Sequence, residues 1–119
     1  MKNKTFLSSL KCAFNGLFTA LENEKNFKIY LFNILLTLPL NILFGFSLYE
    51  HLIYLVCVVG VFSTECINTA IEKICNLITK DYDENIKIIK DIAAGAVLFW
   101  GFAFYISEFV MLGIKIASW

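Results

Sequence analysis

The sequence predicts an all-α integral membrane protein, with an N-terminal amphipathic helix on the membrane surface and three transmembrane helices. Composition, apolar runs and helical periodicity predict it. Mean hydropathy is +0.72 and 59% of the 119 residues are apolar. A soluble domain of this length must cover its remaining surface with polar groups, and 17% charged residues are too few for that. Lipid can face the surplus. The apolar residues also gather into three runs near the roughly 20 residues that cross a bilayer. The length suits a single domain over residues 1–119.

Residues 5–24 form the first element. Phe6, Leu7, Leu10, Ala13, Phe14, Leu17, Phe18 and Leu21 recur at the helical spacing of three and four. Lys11, Asn15 and Glu22 fall largely elsewhere. The stretch reads as an amphipathic surface helix, or as a helix packed on the bundle, and the two are compatible. The first membrane span covers 29–46, "IYLFNILLTLPLNILFGF". Pro39 lies inside it, where neighbours can satisfy the freed carbonyl. Residues 45–50 make a short turn, so the first two spans form a hairpin. The second span covers 52–71, and the third 92–118.

Lysine sets the orientation. Lys2, Lys4, Lys11, Lys25 and Lys28 precede the first span, and Lys73, Lys80, Lys87 and Lys90 separate the second from the third. The hairpin turn has none. Basic residues stay cytoplasmic, so the N-terminus and the second connection face the cytoplasm. The C-terminus faces outward, with Lys115 near it. The protein is expected as a multi-pass component of the cell membrane, and the N-terminus does not read as a signal peptide.

Composition also excludes. Net charge is zero and arginine is absent, which argues against nucleic acid and against Arg-fork phosphate recognition. Cys12, Cys57, Cys66 and Cys75 include no C-x-x-C pair, so they read as small apolar side chains rather than zinc or redox ligands. His51, on the outer turn, reads as structural or solvent-facing rather than catalytic.

The chemistry concentrates in "STECINTAIEKICN", at the end of the second span. Glu65 and Glu72 are seven residues apart, about two turns and roughly 10 Å of rise on one face. Asn68 shares that face. A charged residue in a span costs about 2.5–3.5 kcal/mol on insertion scales, so such a stripe marks function by default. The plainer reading is interhelical hydrogen bonding by Asn68 with Glu72 at the water boundary. Glu22 to Lys28 lie on the same side, as do Lys87, Lys90 and Asp91. The run Ala93, Ala94, Gly95 and Ala96 leaves room for close approach or a bulky ligand. Carboxylates with substrate phosphates bind Mg²⁺, lysines neutralise phosphate, and a partly desolvated carboxylate can take a proton from an alcohol. Those are the parts of phosphoryl transfer. No G-x-x-x-x-G-K-[ST] loop is present, so a nucleotide site would be built from helix side chains.

"ECINTAIE" and "KDIAAGAVL" resemble the two signatures of the bacterial membrane diacylglycerol kinase family, which includes the undecaprenol kinases of Gram-positive bacteria. "SLKCAFNGL" and "ENEKNF" resemble that family's N-terminal helix and the stretch before its first span. The resemblance covers nearly the whole chain and implies a homotrimeric helix bundle with active sites shared between neighbours. It implies transfer of the γ-phosphate of ATP to a lipid alcohol at the cytoplasmic interface, with Mg²⁺. Undecaprenol is the expected acceptor, giving undecaprenyl phosphate; the alternative is diacylglycerol, giving phosphatidic acid. A non-catalytic scaffold or transporter-like subunit is the alternative of another class.

Carried over by position, Glu65 is the general base and Asn68 orients groups near the transferred phosphate. Glu24 and Glu72 hold Mg²⁺ with the ATP phosphates. Lys90 and Asp91 contact nucleotide, and Asp81, Tyr82 and Asp83 fall at its adenosine end. Three positions depart from the family pattern. Asn76 stands where an Asp is usual, Asp83 where a His is usual, and Cys12 where a ring would contact nucleotide.

Overall fold

The computed structural model describes residues 5–119, so Lys2 and Lys4 lie outside the described residues. The chain forms α1 (Phe6–Asn23), α2 (Lys25–Leu43), α3 (Leu48–Ile78) and α4 (Glu84–Ala117). Among the described residues there is no strand. α2, α3 and α4 are each long and apolar enough to cross a membrane.

Caps, not hydropathy, fix the ends. Thr5 caps α1 by accepting from the Ser8 N–H at 3.1 Å. A single residue, Glu24, separates α1 from α2, and its extended backbone (φ −110°, ψ 120°) makes the elbow between them. Its N–H donates back to the Ala20 carbonyl at 2.9 Å. Its side chain makes no capping bond to α2 and stays available for other work.

α2 stops at Leu43, short of residue 46. Gly45 takes φ +75°, a left-handed conformation that glycine adopts without a Cβ penalty. The Phe46 and Gly45 N–H groups bond back to Asn41 and Ile42 at 3.0 and 3.1 Å, the Schellman pattern. Ser47 and Glu50 then form a reciprocal capping box, with bonds of 2.9 and 3.2 Å. That box starts α3 at Leu48, so residues 48–50 are helix rather than turn. α4 likewise starts at Glu84, ahead of residue 92, because Asp83 accepts from the Ile86 N–H at 3.1 Å.

α2 is about 28 Å long, while α3 and α4 are roughly 46 and 51 Å. The hydrocarbon layer is about 30 Å. α2 and α3 meet at the tight turn, so the surplus of α3 lies at its far end. α4 runs back beside it, and the two project beyond the layer together.

The core is small. Tyr54, Cys57, Val61 and Phe104 form it, flanked by Tyr30, Ile34, Val58 and Trp100. Gly60 lets α4 press onto α3, since a Cβ there would overlap the Trp100 ring. Phe32, Leu35, Phe99 and Phe109 point outward, as lipid-facing side chains do. Cys57 and Cys75 are buried. The His51 ring lies 5.8 Å from that of Phe46.

Polar side chains tie the spans together. Along α2, Asn33 donates to the Tyr105 hydroxyl at 2.7 Å, and Thr37 meets the Tyr54 hydroxyl at 2.7 Å. Asn41 donates to Glu108 at 2.9 Å, with both residues buried. Beyond them Lys115 pairs with Glu50 at 3.0 Å, joining the end of α4 to the start of α3.

Asn41→Ala leaves a buried carboxyl without its donor, which costs about 1–3 kcal/mol. Thermal unfolding in detergent is expected to show a lowered midpoint. Asn41→Leu with Glu108→Leu is expected to recover most of it, because both polar groups then leave together.

Candidate functional site

The polar stripe of α3 faces the start of α2 and the first half of α4. Glu65 is 1% exposed. Neither of its carboxylate oxygens has a hydrogen-bond partner among the described residues. Its backbone carbonyl is bonded by the Thr69 hydroxyl at 2.9 Å, so the helix is satisfied while the acid group is not. Asn68, one turn on, donates to Glu72 at 2.7 Å. Its own carbonyl oxygen is buried without a donor. Glu24 and Glu72 stand near enough to act electrostatically on Glu65, and the Asn26 and Asn68 amides lie close to it on the same cavity wall. The elbow between α1 and α2 therefore delivers Glu24 to a carboxylate stripe on a different helix.

A cavity of about 260 Å³ opens at this point. Glu65, Asn68 and Asn26 supply its polar wall, and Ile29, Val97 and Leu98 its apolar wall. Ala94, from the small-residue run, and two tyrosines, Tyr30 and Tyr105, complete it. A polar oxygen can reach Glu65 there while an attached hydrocarbon stays against apolar side chains.

A second cavity of about 380 Å³ lies at the α3–α4 connection. Asp81, Tyr82, Asp83, Lys90 and Asp91 line it, together with Lys80, Ile86 and Lys87. The five expected nucleotide-side positions thus share one hollow. Lys87 bonds Asp91 at 2.7 Å and Lys90 donates to Asn76 at 2.9 Å. Asn76 therefore holds Lys90 by a neutral oxygen. The residues 65, 68, 72 and 76 on α3 link the two hollows along one face. Cys12 is exposed on α1 and lines neither hollow.

Among the described residues no three His, Cys, Asp or Glu side chains form a group that could hold a metal ion alone. Mg²⁺ needs no such group: it takes one or two carboxylates, completed by water and substrate phosphates. Glu24 and Glu72 fit that donor set.

Sequence reading missed Tyr30 and Tyr105, and took Asn26 only as part of the Glu22 to Lys28 stretch, with no role of its own. Asn26, Tyr30, Asn33, Thr37 and Asn41 recur every three or four residues along α2, and that periodicity was the available signal.

The family model for prokaryotic diacylglycerol kinase matches residues 11–112. The undecaprenol kinase of Bacillus subtilis (strain 168) is 35% identical over 92 residues, which are 77% of this chain and 75% of that protein. No solved structure matches the chain with significance.

A buried carboxyl without a donor costs stability. Glu65→Leu is expected to raise the thermal midpoint in detergent, by an amount equivalent to about 1–3 kcal/mol. A lower midpoint would show instead that Glu65 holds the helices together.

Proposed function

The chain belongs to the prokaryotic diacylglycerol kinase family, and from that premise we propose that it phosphorylates undecaprenol at the cytoplasmic face of the membrane, with ATP as donor. It is a multi-pass membrane lipid kinase. The observation that carries the proposal is Glu65: a buried carboxylate with both oxygens unpartnered, on the wall of a half-apolar cavity.

A lipid alcohol brings the donor that Glu65 lacks. The hydroxyl proton passes to a Glu65 oxygen as the alcohol oxygen forms its bond to the γ-phosphorus of ATP. The bond from that phosphorus to the bridging oxygen breaks, and ADP leaves. The hydrocarbon chain rests against Ile29, Val97 and Leu98. Glu24 and Glu72 would hold Mg²⁺, which supplies charge neutralisation on the phosphates. Asn68 fixes the Glu72 oxygen by its 2.7 Å bond. Lys90 and Asp91 contact the nucleotide, and Asp81, Tyr82 and Asp83 line the hollow at its adenosine end. Cys12, on the outer face of α1, contributes no ring to it.

Four lysines, Lys73, Lys80, Lys87 and Lys90, gather at the α3–α4 end, and none lies in the turn between α2 and α3. Their placement supports a cytoplasmic site and an outward C-terminus. α1 then lies along the membrane surface with Phe6, Leu7 and Phe14 exposed to it. The working unit is a homotrimer in which neighbouring chains complete each site.

Purified protein is given labelled ATP and Mg²⁺, with undecaprenol or diacylglycerol offered separately. Transfer to undecaprenol in preference is the expected result. Preference for diacylglycerol would replace the acceptor, and transfer to neither would leave a non-catalytic membrane subunit. Glu65→Gln is expected to keep assembly and lose roughly 10²–10⁴-fold in rate, the usual share of a general base. Asn68→Ala frees Glu72 and is expected to raise the Mg²⁺ needed for half-maximal rate by roughly 10–100-fold, as loss of a group orienting a metal ligand does. Asn76→Asp in the same titration reads whether the Lys90 contact bears on metal or nucleotide.

A further inference from the structure

Both Glu65 oxygens are acceptors, and among the described residues no donor bonds to either. The same cavity holds a phenol, Tyr30, near enough for the two groups to act on each other electrostatically. Yet Tyr30 does not hydrogen-bond Glu65. A good acceptor and a good donor therefore stand unjoined on two residues that line one cavity.

The Tyr30 ring is held firmly. It stacks on Tyr105, with centroids 6.1 Å apart at 29°, and meets Phe104 edge-on at 6.2 Å. Its hydroxyl lies against the backbone of α4 at Gly101. A Cβ on that glycine would lie 2.6 Å from the Tyr30 oxygen, so a larger residue must displace the hydroxyl. Tyr105 differs, because its oxygen already accepts from Asn33 at 2.7 Å. Of the two phenols, Tyr30 is the one whose hydroxyl has no hydrogen-bond partner among the described residues.

We infer, building on the kinase reading above, that the Tyr30 hydroxyl binds the acceptor alcohol, donating a hydrogen bond to the oxygen whose proton Glu65 takes. The alcohol oxygen bridges the gap. It donates its proton towards Glu65, accepts from Tyr30 with one lone pair, and keeps the other for the γ-phosphorus. Tyr30 fixes where the oxygen sits and loses no proton. Gly101 serves as a positioning residue, because its missing side chain leaves the space for that hydroxyl.

The contact exists before and during transfer, so its loss raises KM with kcat little changed. Initial rates are measured with the lipid alcohol varied at saturating ATP, and with ATP varied at saturating alcohol. Tyr30→Phe is expected to raise KM for the lipid roughly fivefold, the equivalent of one neutral hydrogen bond, and to leave KM for ATP unchanged. Gly101→Ala is expected to reproduce that split, and the double variant to be no worse than Gly101→Ala alone. Gly113→Ala is the folding control, as nothing lies within 4 Å of a Cβ there. An unchanged lipid KM in Tyr30→Phe overturns the inference, as does an equal rise in both constants. Where Gly101→Ala fails to fold, the Tyr30→Phe constants decide alone. Absence of transfer by the wild-type chain to either lipid overturns the kinase reading instead.

Discussion

Hydrocarbon offers no hydrogen bonds, so each polar group in a span must find its partner inside the protein. The rest of this structure depends on that constraint. Asn33 and Thr37 meet it with bonds from α2 to α4 and α3, and Asn41 meets it with its amide N–H on Glu108 while its own oxygen stays without a donor among the described residues. Those bonds orient α2, which otherwise has few large side chains to bury. Glu65 is the most buried residue to break the rule with both of its oxygens. Asn41, Asn68 and Glu108 each leave one oxygen without a donor but pair their other side-chain atom, and Glu65 alone among the buried side chains described leaves both oxygens bare.

The site is assembled from positions that are far apart in sequence. Glu24 comes from a one-residue elbow, Asn26 and Tyr30 from the start of α2, and Glu65, Asn68 and Glu72 from α3. None of these segments could make the arrangement alone. The elbow matters most, because it ties the placement of a carboxylate to the direction of α1. α3 and α4, packed closely through Gly60 and Trp100, give the rigid edge on which the other parts are set.

Much of this was legible in the sequence, for identifiable reasons. Hydropathy revealed the three spans because lipid-facing side chains dominate them. The Glu65–Asn68–Glu72 stripe was legible because helical spacing alone puts those residues on one face. The five positions expected at the nucleotide came from resemblance alone; the fold brings them to one hollow, which by itself assigns them no ligand. Helix ends were not legible from hydropathy. Glu50 reads as a charged turn residue but is the closing member of a capping box, and Asp83 marks the start of a helix whose first two turns mix Ile86, Ile88 and Ile89 with Glu84, Lys87 and Lys90. The tyrosines were missed because Tyr30 looks like an ordinary interfacial aromatic. Its meaning comes from Gly101, 71 positions away in the chain, and no local pattern connects them.

The pairing of Glu50 with Lys115 bears on how the protein enters its membrane. In the orientation proposed above, with the lysine-rich end in the cytoplasm, the α2–α3 hairpin carries Glu50 across the bilayer during synthesis. Its partner sits near the end of α4 and crosses last. For most of biogenesis the carboxylate is at the far surface without a counter-ion. The bond can close when the third span has fully crossed. In that orientation the closed pair would oppose withdrawal of α4 by the modest attraction of a partly exposed ion pair.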